Sequence, residues 1–266
     1  MKRITGKKPK ENKKKKKVSM KLIVIGFIVV IIIGFLAIRI LPTVRSIDVE
    51  IQVSDIEKGE DARITKEQVL TLANIKVGDK LYKERRSEIE KRIEENPYIQ
   101  DAKLERNLSG KVKIQISQRK PTYMINYAGE YIYIDSEGYI LEVNTNHNGT
   151  PIMIGLTTDF SELSIGNSKI RLNQNDLEKL DTVNNIISTI RSNNIENVIT
   201  SIDVTDKKNF ILHLDNDGKE VYLGDGSDMN TKVLYMKKIL ESEAGNTGII
   251  YINGNLDEGY VYFREQ

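Results

Sequence analysis

The feature that most restricts this chain is an uncharged apolar run that follows directly on a block of lysines. Residues 22–38 contain no charged side chain, and residues 13–17 are five consecutive lysines. At about 1.5 Å per residue, a helix of roughly 20 residues covers the ~30 Å hydrocarbon layer of a bilayer. The run therefore predicts a transmembrane helix over residues 22–41. Arg39 lies near enough to its end to reach the membrane interface.

The lysine block admits three interpretations: a nucleic-acid-binding arm, the start of a cleavable signal peptide, or the cytoplasmic end of a membrane anchor. A cleavable signal has a shorter apolar segment and small residues at its exit, whereas the exit here reads RILPTVR at residues 39–45. A nucleic-acid arm interleaves basic with aromatic residues, and residues 1–21 contain no aromatic side chain. We therefore expect an uncleaved anchor and no nucleic-acid partner.

Charge is distributed unevenly along the chain, and this distribution predicts its orientation. Residues 1–21 hold eleven Lys or Arg and one Glu, a net charge of +10. Residues 43–266 hold 28 basic and 37 acidic residues, a net charge of −9, and residues 121–266 alone carry −11. Because Lys and Arg near a membrane span remain on the cytoplasmic side, residues 1–21 are predicted to be a cytoplasmic tail. The body, from residue 43 onward, is predicted to lie outside the membrane.

The chain contains no cysteine. This excludes thiol catalysis, disulfides and cysteine metal sites. It is consistent with an extracytoplasmic domain that folds without disulfides, although many cytoplasmic proteins share the property.

Residues 43–120 predict the element order β-α-α-β-β. Apolar and polar residues alternate where strands are expected, and a capping box of Thr65 and Gln68 marks the start of the first helix. The Asn107–Gly110 stretch, NLSG, joins the last two strands as a hairpin. The predicted strands are 46–53, 99–105 and 111–117, and the predicted helices are 65–73 and 83–95.

Four motifs give this region a specific resemblance. They are IKVGDKL at 75–81, NPYIQDAKLER at 96–106, VKIQISQRKP at 112–121 and YIDSEGYIL at 133–141. The region resembles a POTRA domain, and together with its setting it resembles the FtsQ/DivIB family of bacterial cell-division proteins. The sequence departs from the family pattern at Ser54-Asp55, where Gly-Asn is usual, at Leu108, where Pro is usual, and at Gln118, where Glu is usual.

Residues 121–266 predict a mixed, β-rich distal domain with two helices. The helices show apolar residues at helical spacing, and Asp217-Gly218 is a hairpin turn. The order of elements is similar to the β-domain of the same family, so the resemblance covers residues 43–264. The predicted strands are 122–127, 130–135, 139–143, 210–214, 220–223, 248–252 and 259–263, and the predicted helices are 176–191 and 229–243.

The sequence offers no constellation that indicates catalysis. The two histidines, His147 and His213, have no neighbours with the spacing of metal ligands. The stretch DNDG at residues 215–218 resembles the start of a calcium loop but lacks the acid at the twelfth position, so we interpret it as a turn. No catalytic, cofactor-binding or metal-binding residue is predicted, and no cofactor. We expect a protein that is not an enzyme, and the alternative is a membrane-anchored extracytoplasmic cell-wall hydrolase or ligand-binding protein.

The resemblance implies a bitopic, non-catalytic scaffold of the division machinery, located in the cell membrane at the septum. It implies small bitopic partners of the FtsL and FtsB/DivIC types and, through them, the septal peptidoglycan synthase. The expected binding mode is strand addition at the final strand, where Tyr260, Val261, Tyr262 and Phe263 fall. A basic residue before a hairpin strand also belongs to the family's partner surface, and Lys208 takes that place. The alternative is that the four strand residues are core and Lys208 is a solvated surface residue.

Overall fold

The computed structural model describes residues 20–39, 43–53, 63–161, 170–195, 199–254 and 260–266. Helix α1 covers Met20–Arg39, and its side chains are exposed over residues 20–35. Across the described ranges, no helix combines the length and the apolar character needed to cross a membrane. Residues 1–19 of the predicted tail, residues 40 and 41 of the predicted anchor, and residue 42 lie outside the described residues.

The proximal domain, predicted at residues 43–120, has the expected β-α-α-β-β order. The strand order of its sheet is β1-β3-β2, so the first strand lies at one edge and β3 lies in the centre. The first strand runs parallel to β3, while β2 and β3 form the predicted antiparallel hairpin. The elements are β1 (Ser46–Val53), α2 (Lys66–Ala73), α3 (Arg86–Glu94), β2 (Ile99–Arg106) and β3 (Lys111–Gln118).

The start of α2 follows from its capping box, whereas the start of α3 differs from the prediction. The Thr65 hydroxyl accepts a hydrogen bond from the Gln68 N–H (3.2 Å), and the Gln68 side chain accepts one from the Thr65 N–H (2.8 Å), which confirms the capping box. Helix α3 begins at Arg86 rather than residue 83. The cause is a turn in which the Lys83 N–H donates to the Lys80 carbonyl oxygen, after which Arg85 is extended.

In the distal domain, predicted at residues 121–266, the described residues form a nine-stranded sheet. Its order is β12-β11-β10-β9-β8-β7-β4-β5-β6, with β10–β11, β4–β7 and β7–β8 parallel and the other pairs antiparallel. Strands β7 and β8 were not predicted, because three-residue strands are too short to show alternation. The strands are β4 (Tyr123–Tyr127), β5 (Glu130–Ile134), β6 (Ile140–Asn144), β7 (Ile152–Ile154), β8 (Ser201–Asp203), β9 (Phe210–Leu214), β10 (Lys219–Gly224), β11 (Gly248–Tyr251) and β12 (Tyr262–Glu265).

The two predicted helices of this domain are present, and the structure packs both of them on one face of the sheet. Helix α4 is Gln174–Ser192 and helix α5 is Met229–Ser242. Their buried apolar side chains share one core with the inward residues of the strands, including Leu212, Val221 and Ile250. The opposite face of strands β9–β12 is not covered by α4 or α5, and the alternate side chains of these strands lie there.

The two domains are joined by a shared core and by a buried ion pair. Met124, Tyr133 and Leu141 belong to strands of the distal domain but are buried in the core cluster of the proximal domain. Arg119, directly after β3, is buried and hydrogen-bonded to the carboxylate of Asp135. The proximal domain therefore packs on β4–β6 rather than being connected to them only by the chain.

Candidate functional site

Strand β12 forms one edge of the nine-stranded sheet. It pairs with β11 on one side, in the register Tyr251↔Tyr262 to Gly248↔Glu265. The described residues supply no strand on its other side. The strand was predicted at residues 259–263, whereas it begins at Tyr262, three residues later. Residues 255–259 lie outside the described residues. An edge strand carries backbone N–H and C=O groups that can pair with another chain.

The hydrogen-bond pattern indicates which backbone groups of β12 face outward. The Gln266 N–H donates to the Thr247 carbonyl oxygen (3.1 Å), so this pair faces inward, toward β11. Residues two apart in a strand point the same way, which places the backbone groups of Arg264 and Tyr262 toward β11 as well. The backbone N–H and C=O groups of Phe263 and Glu265 therefore point to the open edge.

The structure separates the four predicted strand residues into two pairs. Val261 and Phe263 are partly buried and pack against the core of the distal domain. Tyr260 and Tyr262 are exposed, at 57% and 53% of their surface. The alternative that all four residues are core is therefore wrong for the two tyrosines, since alternate side chains of a strand point to opposite faces.

Tyr262 belongs to a row of aromatic rings that the sequence did not reveal. Its ring stacks on that of Tyr251 at 4.7 Å between centroids, and Tyr251 stacks on Tyr222 at 5.1 Å. We call Tyr222, Tyr251 and Tyr262 the tyrosine ladder. Arg264 lies over the Tyr251 ring at 5.7 Å. Burial raises the pKa of the Tyr222 hydroxyl above its ordinary value.

The three tyrosines of the ladder lie in strands that the sequence predicted. Whether their rings meet depends on the register in which β10, β11 and β12 pair. Strand β10 is parallel to β11 and β11 is antiparallel to β12, and this combination brings the three rings into line. A search for tyrosines at alternating positions of neighbouring predicted strands would have suggested the row without fixing it.

Lys208 is exposed and lies in the loop between β8 and β9. Its backbone N–H donates to the Asp206 carboxylate (2.8 Å). The adjacent Asn209 accepts a hydrogen bond from the Asn253 side chain (3.2 Å), which follows β11. Lys208 is therefore at the same end of the sheet as Tyr260 and Tyr262, about three strand spacings (~14 Å) from β12.

The described residues do not assemble a metal site or a catalytic pair around the histidines. Among them, no group of three or more His, Cys, Asp or Glu is placed to hold a metal ion. The His213 ring lies 3.6 Å from the Glu220 carboxylate, on the face of the sheet opposite α4 and α5. The His147 ring contacts Tyr131 edge to face, and its Nδ1 accepts from the Gly149 N–H.

Comparison with known families assigns both halves of the body. Residues 53–119 match the family described as POTRA domain, FtsQ-type. Residues 123–255 match the family described as Cell division protein FtsQ/DivIB, C-terminal. Neither description is that of an enzyme.

Individual relatives are distant in sequence but similar in extent. The chain is 25% identical to Cell division protein FtsQ of Corynebacterium glutamicum over 223 residues, which cover 83% of this chain and 90% of that protein. It is 25% identical to Cell division protein DivIB of Clostridium tetani over 180 residues, covering 67% of this chain and 65% of that protein. It is 26% identical over 106 residues to Cell division protein FtsQ of a Geobacter species, covering 39% of this chain and 38% of that protein.

Proposed function

Because this chain belongs to the FtsQ/DivIB family of cell-division proteins, we propose that it serves division as a non-catalytic scaffold attached to the cell membrane by one helix. The proposed domains are a cytoplasmic tail at residues 1–21, an anchor at 22–41, a POTRA domain at 43–120 and a β-domain at 121–266. In this arrangement the body is extracytoplasmic and is expected at the division septum. A fluorescent fusion that gathers at mid-cell would support the location.

The support for the anchor is the pattern of charge in the sequence. Seventeen uncharged residues, 22–38, follow a tail with a net charge of +10. An excess of Lys and Arg on one side of an apolar segment orients that side toward the cytoplasm. Attraction of the lysines to anionic lipid adds to the same orientation.

The single observation that carries the scaffold role is the open edge of β12. Strand addition at this edge would use the outward N–H and C=O groups of Phe263 and Glu265 for affinity. Side chains of the added strand would lie beside Tyr262 and Arg264, which favours an aromatic or aliphatic residue opposite the ring and an acidic residue opposite the cation. The proposed partners are the FtsL-type and FtsB/DivIC-type bitopic proteins, which would connect the scaffold to the septal peptidoglycan synthase.

The test is a proline at the outward-facing position of β12. Glu265→Pro removes the outward N–H donor while leaving the inward hydrogen bonds to β11, because proline is tolerated at edge strands whose N–H faces solvent. We expect the full-length variant to fold but to lose co-purification with the small bitopic partners by at least about tenfold, the effect of one lost hydrogen bond plus the steric block of the ring.

The matched control is Glu265→Ala, which removes the same side chain but keeps the N–H. It should retain partner binding at close to the wild-type level. If Glu265→Pro co-purifies with the partners as well as Glu265→Ala does, strand addition at β12 is wrong. Circular dichroism of both variants checks that the fold is unchanged.

A further inference from the structure

One end of the proximal domain presents two exposed apolar side chains at the tips of turns. Val77 lies in the turn of residues 76–79 and is 65% exposed, and Leu108 lies in the β2–β3 turn of residues 107–110 and is 79% exposed. Single exposed apolar residues on a protein surface are common. Here, however, two turns that are separate in sequence place such residues at the same end of the domain.

The chain that arrives from α1 runs between these two turns. On one side the Val44 N–H donates to the Asp79 carbonyl oxygen (2.8 Å), and the Gly78 N–H donates to the Val44 carbonyl oxygen (2.8 Å). On the other side the Arg45 N–H donates to the Gly110 carbonyl oxygen (2.7 Å). A Cβ at Gly110, where φ is +88°, would lie 2.3 Å from the Thr43 carbonyl oxygen, so the contact requires glycine. Both tips are thereby fixed beside the point where the chain enters the domain.

Five cations surround this point, and all of them are exposed. Among the described residues, none lies within 4.0 Å of a carboxylate oxygen. The carboxylate of Asp79, the acidic residue in the first turn, accepts a hydrogen bond from the Lys76 N–H (2.9 Å) and so stabilises the turn itself. The cations are Arg45, Lys76, Lys80, Lys83 and Lys111. We call them, together with Val77 and Leu108, the entry surface.

The entry surface lies close to the end of α1. Helix α1 ends at Arg39, and Thr43 is four residues further on. Since an extended chain spans at most about 3.6 Å per residue, the two Cα atoms are no more than ~14 Å apart. The polar layer of a bilayer extends roughly 5–8 Å beyond its hydrocarbon core on each side. If the proposed anchor ends at residue 41, Thr43 lies no more than ~7 Å beyond that end, so the entry surface is at the level of the lipid headgroups.

We propose that the entry surface docks the proximal domain onto anionic phospholipid headgroups at the outer face of the membrane. The five cations bind headgroup phosphates, and Val77 and Leu108 enter the interface between headgroups and acyl chains. The apolar tips favour a bilayer over an acidic polymer of the cell wall, which offers nothing for them to be buried in. This inference rests on the membrane anchor of the proposed function.

The absence of tryptophan from the sequence makes a direct test possible. The full-length chain with Leu108→Trp carries a single tryptophan and is reconstituted into nanodiscs of neutral phosphatidylcholine, or of phosphatidylcholine mixed with phosphatidylglycerol. We expect the emission of Leu108→Trp in the anionic discs to shift to shorter wavelength and to be quenched by lipids brominated on their acyl chains. Val77→Trp provides a second probe on the other turn. Leu234→Trp, on α5 and 54% exposed, is the matched control and should show neither effect.

The contribution of the cations to docking is tested by adding charge-removing substitutions to the same tryptophan variants. Each cation near an anionic surface contributes about a fivefold preference for the docked state, so Lys76→Gln, Lys80→Gln and Lys111→Gln together should lower the ratio of docked to undocked protein by about a hundredfold. High salt should act in the same direction.

The outcomes separate the two proposals. If the chain enters the nanodiscs but Leu108→Trp and Val77→Trp behave like Leu234→Trp, the docking is wrong and the anchor stands. Quenching that is equal in neutral and anionic discs, and unchanged by the three glutamines, would overturn the role of the headgroup charge. A chain that does not enter the discs would overturn the anchor and the docking with it.

Discussion

Arg119 is a buried, charged residue at the joint between the two domains. Its guanidinium contacts Asp135 and Glu137 (2.8 Å to the latter) and lies 3.9 Å from the centre of the Tyr139 ring. Burial disfavours its charge, yet the hydrogen bonds to Glu137 and Asp135 hold the pKa of the Arg119 guanidinium above its ordinary value. The sequence analysis placed Arg119 within the family motif VKIQISQRKP at 112–121, but it did not show that this arginine is buried between two domains.

Replacing this arginine should therefore be costly. Arg119→Met leaves the buried Asp135 carboxylate without its cation, and breaking a buried pair in this way lowers the free energy of unfolding by about 3–5 kcal/mol. Arg86→Met removes a pair with Glu90 in which the arginine side chain is half exposed (50%), and the Glu90 carboxylate keeps its hydrogen bond from the Leu104 N–H, so this change should cost no more than about 1 kcal/mol. Chemical denaturation of the two variants measures the difference. Equal effects would show that the Arg119 pair does not stabilise the joint.

Asp176 in α4 makes stability dependent on pH. Burial works against its charge, but hydrogen bonds from Thr158 and Thr157, at 2.7–3.0 Å, hold the pKa of the carboxyl below its ordinary value of 3.8. A carboxyl with a lowered pKa in the folded state stabilises the fold above its unfolded pKa and loses that contribution as the pH falls through its folded pKa.

We expect Asp176→Asn to lower the free energy of unfolding at pH 7 by about 1–3 kcal/mol, since an amide cannot accept all four of these hydrogen bonds. The difference from the wild type should begin to shrink below about pH 4, where the carboxyl of the unfolded chain takes up protons, and should shrink further as the pH falls through the lowered pKa of the folded carboxyl. Asp181→Asn, at an exposed position of the same helix, is the control and should have little effect at either pH. A difference for Asp176→Asn that stays constant with pH would contradict this account.

At the scale of the elements, the sequence predicted most helices and strands because their signals are local. Thr65 and Gln68 are three residues apart, and the capping box they predicted is present. The alternation in β1, β2 and β3 likewise requires only neighbouring residues. The predictions missed β7 and β8, and they placed the start of β12 too early. In these short strands, apolar and polar residues alternate over too few positions to give a signal. Pairing with a neighbouring strand decides where each of them begins.

The capping box can be tested directly. Thr65→Ala removes the acceptor for the Gln68 N–H at the first turn of α2, and we expect the free energy of unfolding to fall by about 1 kcal/mol. Thr65→Ser keeps a hydroxyl and should stay within a few tenths of a kcal/mol of the wild type. Thermal denaturation compares the two. A Thr65→Ser variant as unstable as Thr65→Ala would mean that the methyl group, rather than the cap, is responsible.

At the scale of the whole molecule, the proximal domain and β4–β6 share a core and should unfold together. Leu141 is in β6 but is 4% exposed within the core cluster of the proximal domain. Leu141→Ala should lower the free energy of unfolding by about 2–5 kcal/mol, the usual result of a cavity in a packed core. Hydrogen exchange should become faster in β1–β3 and in β4–β6 alike. Leu108→Ala, at an exposed position, is the control. Faster exchange confined to β4–β6 would show that the two domains are independent.

The sequence by itself determined the features that depend on neighbouring residues. These are the uncharged run and its lysines, the alternation of most strands, the capping box and the motifs that identify the family. The tertiary structure decided what depends on pairing between distant segments: the strand order of the distal sheet, the tyrosine ladder, the open edge of β12 and the burial of Arg119. It also placed Val77 and Leu108 at one end of the proximal domain. Register and strand order bring together residues far apart in the chain, and no local pattern encodes which segment becomes the neighbour.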